Sequence, residues 1–148
     1  IETTACARTE TFEEIMRLID FAFIDVKHMD SERHRAKTGV GNERILANIA
    51  RLASSGWKGR LILRMPVVPD FNDSLENAAE TARFMESQGL FEINLLPFHR
   101  LGTSKWEQMG MTYAYADCEG TPPELMERLQ NVYLDRRIAC YVGDDVYY

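Results

Sequence analysis

At 148 residues, 45% hydrophobic and 27% charged, the chain has the size and composition of one globular domain that buries roughly two-thirds of its unfolded surface. A net charge of -6 argues against a nucleic-acid or anionic-membrane surface, and no apolar run approaches the ~20 residues that span a bilayer. Cys6, Cys118 and Cys140 are odd in number, far apart and outside any CxxC pattern, so they read as reduced cytoplasmic thiols. The chain opens on Ile1 without an initiator methionine, as a piece of a longer protein would.

In chain order the rhythm is strand, loop, helix, repeated. Thr11-x-x-Glu14 reads as a capping box opening a helix over 11–20, with Ile15, Leu18 and Ile19 on one face. A strand over 21–27 follows almost at once. The polar connection 29–41 is long for a strand-to-helix loop, which marks it as a functional candidate. Within it, Gly39-Val40-Gly41 lacks any phosphate-loop spacing and reads as a turn admitting positive φ. Asn42 is placed to cap a helix carrying Ile45, Ile49, Leu52 and Ala53 and ending at Gly56.

A strand over 60–68 and the turn Pro69-Asp70-Phe71-Asn72 come next. Asp73 with Glu76 then opens a helix bearing Leu75, Ala78, Ala79, Ala82 and Met85, closed near Gly89. The third internal strand covers 92–96, and an irregular stretch covers 99–120. Thr121-Pro122-Pro123-Glu124 reads as cap, first helical proline and box glutamate for a helix with the stripe Leu125, Leu129, Val132 and Tyr133. A last strand over 138–142 and an acidic, tyrosine-rich tail over 143–148 complete the chain. Strands alternating with helices imply parallel βαβ units: one α/β domain over 1–148, either an incomplete barrel or an open sheet.

The chemistry gathers where predicted strands end. Asp25 and Lys27, two apart, point to the same face; Arg64 lies on the next strand, and His99 stands just past the Pro97 that stops the third. In α/β folds the loops at strand carboxyl ends are where ligands collect. Asp25 with Lys27 reads either as a structural ion pair or as a cation for a carboxylate beside an acceptor for an amine. Arg64 suits bidentate carboxylate binding or a plain salt bridge. Trp57 and Trp106 read as packing residues. His28 and His34, six apart, share no helical face and do not suggest zinc.

Several blocks together resemble a known family. They are Asp25-Val26-Lys27-His28-Met29-Asp30 with His34 and Thr38-Gly39-Val40-Gly41-Asn42; Arg64-Met65-Pro66-Val67-Val68-Pro69 with Asn72-Asp73; and Leu95-Leu96-Pro97-Phe98-His99-Arg100-Leu101-Gly102-Thr103-Ser104-Lys105-Trp106 with Gly110 and Tyr113. In this order they are similar to the glycyl-radical-enzyme activating enzymes, radical S-adenosylmethionine (SAM) proteins that include pyruvate formate-lyase activating enzyme. The resemblance implies a cytoplasmic, anaerobic oxidoreductase and a fold that is the C-terminal part of a partial (β/α)6 TIM-like barrel. It implies SAM and a [4Fe-4S] cluster as cofactors, a glycyl radical enzyme as partner, a flavodoxin or ferredoxin as electron donor, and neither nucleic acid nor membrane.

By the same resemblance Lys27 and His99 contact the methionyl part of SAM. Asp25, with Glu2 and Thr3, lines a site for a monovalent cation or the SAM amine, and Arg64 borders the adenosine or the incoming glycine loop. The chain departs from the family pattern in two places: CxxxCxxC does not occur in it, and Glu2-Thr3-Thr4-Ala5 stands where Asp-Thr-x-Gly is usual. It is therefore expected to bind no cluster and to be inert alone. Residues 1–7, at the cut edge of the sheet, are expected either to pair with another copy or to leave their place. Two other readings stand beside this one: a lyase-like barrel using Lys27 as a Schiff-base nucleophile, and an interaction module built on the aromatic stretch after His99.

Overall fold

The computed structural model describes residues 1–99, 103–144 and 146. The elements are β1 (Glu2–Thr3), α1 (Thr9–Met16), β2 (Phe21–Asp25), α2 (Ser31–Thr38), α3 (Glu43–Ser54), β3 (Arg60–Val67), α4 (Leu75–Gln88), β4 (Glu92–Pro97), α5 (Thr103–Gln108), α6 (Pro123–Leu134) and β5 (Ala139–Val142). The strands are parallel, and their spatial order is their chain order. Right-handed crossovers that always step the same way put their helices on one face, as α1, α3, α4 and α6 are here.

The core agrees with that topology. Ala22, Ile24 and Val26 of β2 and its extension, Leu63 and Met65 of β3, and Ile93 and Leu95 of β4 are buried against Phe12 and Met16 of α1, Ile45 and Ile49 of α3, Ala78 and Met85 of α4, and Leu129 and Tyr133 of α6. The alternate residues face the other way, where Phe23 and Ile62 pack with Val146. Helices on one face and a strand order without reversal make a barrel wall, not a doubly wound sheet. The expected partial α/β barrel is the fold found.

Several local expectations are corrected. α1 starts at Thr9, its N-cap Arg8 makes no side-chain cap bond, and it buries Phe12 and Met16 while Ile15 and Leu18 lie exposed. It stops at Met16 because Trp57 Nε1 donates to the Met16 and Ile19 carbonyls, both at 2.9 Å, satisfying groups that a longer helix would have used. Connection 29–41 contains the helix α2. Asp30 caps it by accepting from the Glu32 and Arg33 amides, and Gly39 ends it at φ 84°. Periodicity could not reveal α2, whose sequence carries no apolar stripe.

Asn42 makes no cap bond to α3, α4 is capped by Ser74 and not by Asp73, and Pro122 is the N-cap of α6. Thr121 instead donates to the Val67 carbonyl at 3.1 Å and accepts from the Phe98 amide at 2.9 Å, tying the end of β3 to the end of β4. Residues 1–7 are not displaced: β1 pairs with β2, and the Phe23 amide donates to the Ile1 carbonyl at 2.9 Å. Within the expected tail, Val146 is buried on the inner face.

Candidate cofactor site at the strand ends

Asp25, Arg64 and Asn94 share one register line across β2, β3 and β4, on the inner face. Glu2 lies on the neighbouring β1, opposite Phe23. Arg64 Nε donates to Asp25 Oδ1 at 2.9 Å, and its Nη1 and Nη2 meet the two Glu2 oxygens at 3.0 Å each. Lys27 Nζ donates to Asp25 Oδ2 at 3.0 Å. The result is a line of alternating charge, Glu2, Arg64, Asp25, Lys27, with the guanidinium over the Phe23 ring at 5.2 Å. Arg64 is not at a strand terminus, as its sequence context suggested. It stands three residues before the end of β3, level with the last residue of β2.

Side-chain exposure is 15% for Asp25 and 17% for Arg64 but 31% for Lys27 and 62% for Glu2, so the two outer members of the line are the ones open to solvent. The Lys27 ammonium uses one of its three donors on Asp25. The Arg64 hydrogen bond and charge hold the Glu2 carboxyl below its ordinary range. Burial pulls the Arg64 pKa down, but hydrogen bonds to Glu2 and Asp25 outweigh it and the net shift is upward.

Thr3 pairs with Ile24, whose side chain enters the helix-covered core, so it lies on the opposite strand face from Glu2; its hydroxyl accepts from the Ala5 amide at 3.1 Å. His99 is exposed, two residues beyond β4 and at the same end of the sheet as Lys27. Thus Glu2, Asp25, Lys27 and Arg64 come together, His99 joins them at the same rim, and Thr3 is turned away. Trp57 is a packing residue, and Trp106 stacks on Tyr113 at 5.8 Å.

Sequence reasoning missed a set of buried asparagines that hold the strand ends. Asn48 donates to the Ala5 and Ala7 carbonyls at 2.9 and 3.0 Å, just past β1. After β2, Asn42 donates to the carbonyls of His28 and Met29 at 2.8 and 2.7 Å, and Asn77 accepts from the Met29 amide at 3.0 Å. Asn72 donates to the carbonyls of Lys27 and Pro66 and accepts from the Val68 amide. Asn94 donates to the Gly143 carbonyl at 2.9 Å, past β5. Their signal was legible: an asparagine on an apolar helical stripe, as Asn48 is between Ile45 and Leu52, must find partners in the core.

His28 belongs to the same framework. Its Nδ1 accepts from the Asp30 amide at 2.9 Å, which places the ring proton on Nε2. Burial lowers its pKa, as does Arg33. His34 is also buried and lies 2.7 Å from the Val40 carbonyl through Nδ1. Among the described residues no three of His, Cys, Asp or Glu are grouped to hold a metal.

The fold is a wall of a partial α/β barrel, and a radical SAM protein is among its solved structural neighbours. The chain superposes over 95% of its length on 38% of a radical SAM methyltransferase from Sphaerobacter thermophilus, with TM-score 0.67 and 15% identity, a likeness of fold. Over 95% of its length it also matches 78% of a solved domain of pyruvate-formate lyase-activating enzyme from Bacteroides vulgatus ATCC 8482, at TM-score 0.77 and 28% identity. The chain resembles a fragment of the glycyl-radical-enzyme activating enzymes, as its motifs suggested. It is 55% identical over 145 residues to the 4-hydroxyphenylacetate decarboxylase activating enzyme of Clostridioides difficile (strain CD196), covering 98% of the chain and 46% of that relative. It therefore spans about half the length of the curated relatives it matches. No family model matches the chain.

Proposed function

We propose that this chain forms the SAM-binding wall of an activating enzyme and part of the surface that receives a glycine loop of its partner. The observation that carries the reading is the line Glu2, Arg64, Asp25, Lys27 across adjacent parallel strands, at the level where β2 ends, in a chain so similar to an activating enzyme. The methionyl end of SAM is zwitterionic. Its carboxylate suits the Lys27 ammonium with His99 beside it, and its amine suits Asp25. Glu2 and Asp25 are already spanned by Arg64, and Thr3 faces away, which supports the amine role for Asp25 over a monovalent-cation site. Arg64 holds the two carboxylates in place and borders the adenosine side or the incoming loop.

The described residues do not fit a [4Fe-4S] cluster: Cys6 is exposed, Cys140 is buried in the helix-covered core, and no metal-binding group forms among them. The reading assigns the cluster ligands to sequence outside this chain. Bound SAM supplies the one-electron chemistry by which such enzymes place a radical on a glycine of the partner. The partner favoured by the similarity is an arylacetate decarboxylase of the glycyl radical class, with a flavodoxin or ferredoxin supplying the electron. A reducing cytoplasm suits the three free thiols. A Schiff-base role for Lys27 is disfavoured, because the ammonium sits against the Asp25 carboxylate and not in an apolar pocket.

The test is calorimetric titration of SAM into the anaerobic, cluster-loaded full-length enzyme. Lys27→Ala should raise the SAM Kd about tenfold or more, the loss expected for one charge-assisted hydrogen bond. An unchanged Kd overturns the reading. Electron paramagnetic resonance of the decarboxylase, mixed with the activated enzyme, checks the partner independently: a glycine-centred signal is expected, and its absence removes that partner.

A further inference from the structure

We infer that Asn72 is a positioning residue that sets where Lys27 stands, an inference that rests on the reading of Lys27 as a SAM contact. The β2–β3 pairing ends at Asp25 opposite Arg64, and its last backbone rung runs from the Val26 amide to the Arg64 carbonyl at 2.9 Å. The next rung of a parallel ladder calls for the amide N–H of residue 66, and Pro66 has none. The ladder must stop there, one residue short of Lys27, although β3 itself continues to Val67.

Asn72 takes over at that point. Its Nδ2 donates to the Lys27 carbonyl at 2.7 Å and to the Pro66 carbonyl at 2.8 Å, while its Oδ1 accepts from the Val68 amide at 2.7 Å. One amide thus bridges the two strand ends across the gap that the proline creates. At 1% exposure Asn72 is closed to water, so no solvent molecule substitutes for it without rearrangement. With the Lys27 backbone held, the side chain starts from a fixed point and reaches Asp25 at 3.0 Å. Without Asn72 the carbonyls of Lys27 and Pro66 lose their donor, and the segment carrying the ammonium is free to turn.

The test is a double-mutant cycle in the full-length, cluster-loaded enzyme, read by calorimetric SAM binding. Asn72→Ala should raise the SAM Kd about tenfold when Lys27 is present. In the Lys27→Ala background the same change should leave Kd within about twofold, because the effect acts through the lysine. A merely structural role would weaken binding equally in both backgrounds, or lower Tm without moving Kd, and either result overturns the inference while the SAM reading stands. If Asn72→Ala does not fold, Asn72→Asp keeps the shape and the acceptor for Val68 but removes both donors, and it is read the same way. Failure of both variants to fold assigns Asn72 to the fold and also overturns the inference. If Lys27→Ala itself leaves Kd unchanged, the reading of the site falls, and the positioning role falls with it.

Discussion

Arg64 is the residue on which the strand-end site turns, because among the described residues it alone touches both carboxylates. Arg64→Met keeps much of the stem that packs over Phe23 but leaves Glu2 without its cation and Asp25 with Lys27 alone. Because the Asp25 end is mostly shielded, the cost should be about 1–3 kcal/mol, read by denaturant unfolding, and smaller in Asp25→Asn/Arg64→Met if the pair is coupled. His28 offers a pH test at the same scale. Its folded pKa lies below its ordinary 6.5, so the unfolded chain takes up the proton first as pH falls. The stability His28 contributes is thus fully present above 6.5 and is lost as pH falls toward the lowered folded value. His28→Phe should flatten that part of the stability–pH curve; a curve of unchanged slope there refutes the assignment.

Among the elements, α2 shows how a helix can exist without an apolar stripe. Only His34 of its residues is buried, so its stability rests on its ends: the Asp30 cap, Gly39 in the left-handed region, and the hydrogen bond from Ser31 to Glu43. Asp30→Ala should lower the stability of α2 and speed amide exchange at Glu32 and Arg33. Slow exchange retained at both amides would rule the cap out. Arg60, the first residue of β3, donates through Nε and Nη2 to Glu92, the first of β4, and Tyr141 of β5 donates to the same carboxylate at 2.9 Å. Arg60 holds Glu92 below its ordinary 4.5 against the opposing effect of burial. This cross-strand tie is therefore present above 4.5 and lost as pH falls through the lower folded value; Glu92→Gln should remove that acid-side loss.

For the molecule as a whole, the sheet topology decides where partners can approach. Helices cover one face, and the inner face carries the charge line above the layer of Phe23, Ile62 and Val146. Among the described residues β1 pairs with β2 alone, so its other edge presents unpaired backbone groups. The chain studied by itself should associate through that edge. Light scattering over a dilution series is expected to show a mass that rises with concentration, and a concentration-independent monomer would exclude edge pairing.

Periodicity and turn chemistry were enough to read α3, β2, β3, β4, α6 and β5 from the residues, because an apolar stripe of period 3.6 or an uninterrupted β-branched run is a local property. The convergence of Asp25, Lys27 and Arg64 was legible for a similar reason: parallel strands align their carboxyl ends, and each residue was read as lying near one. The strand order was not legible, since βα units stack into a barrel wall or a doubly wound sheet with the same local pattern. Nor was the choice between cap and clamp at Asn42 and Thr121. Both residues have the right type and spacing for a helix cap, yet their side chains serve backbone groups on other elements. The roles of Arg64 between two carboxylates and of Asn72 beyond a proline depend on which strands become neighbours, and only the packed chain brings residues 62 and 45 positions apart in sequence within hydrogen-bond distance.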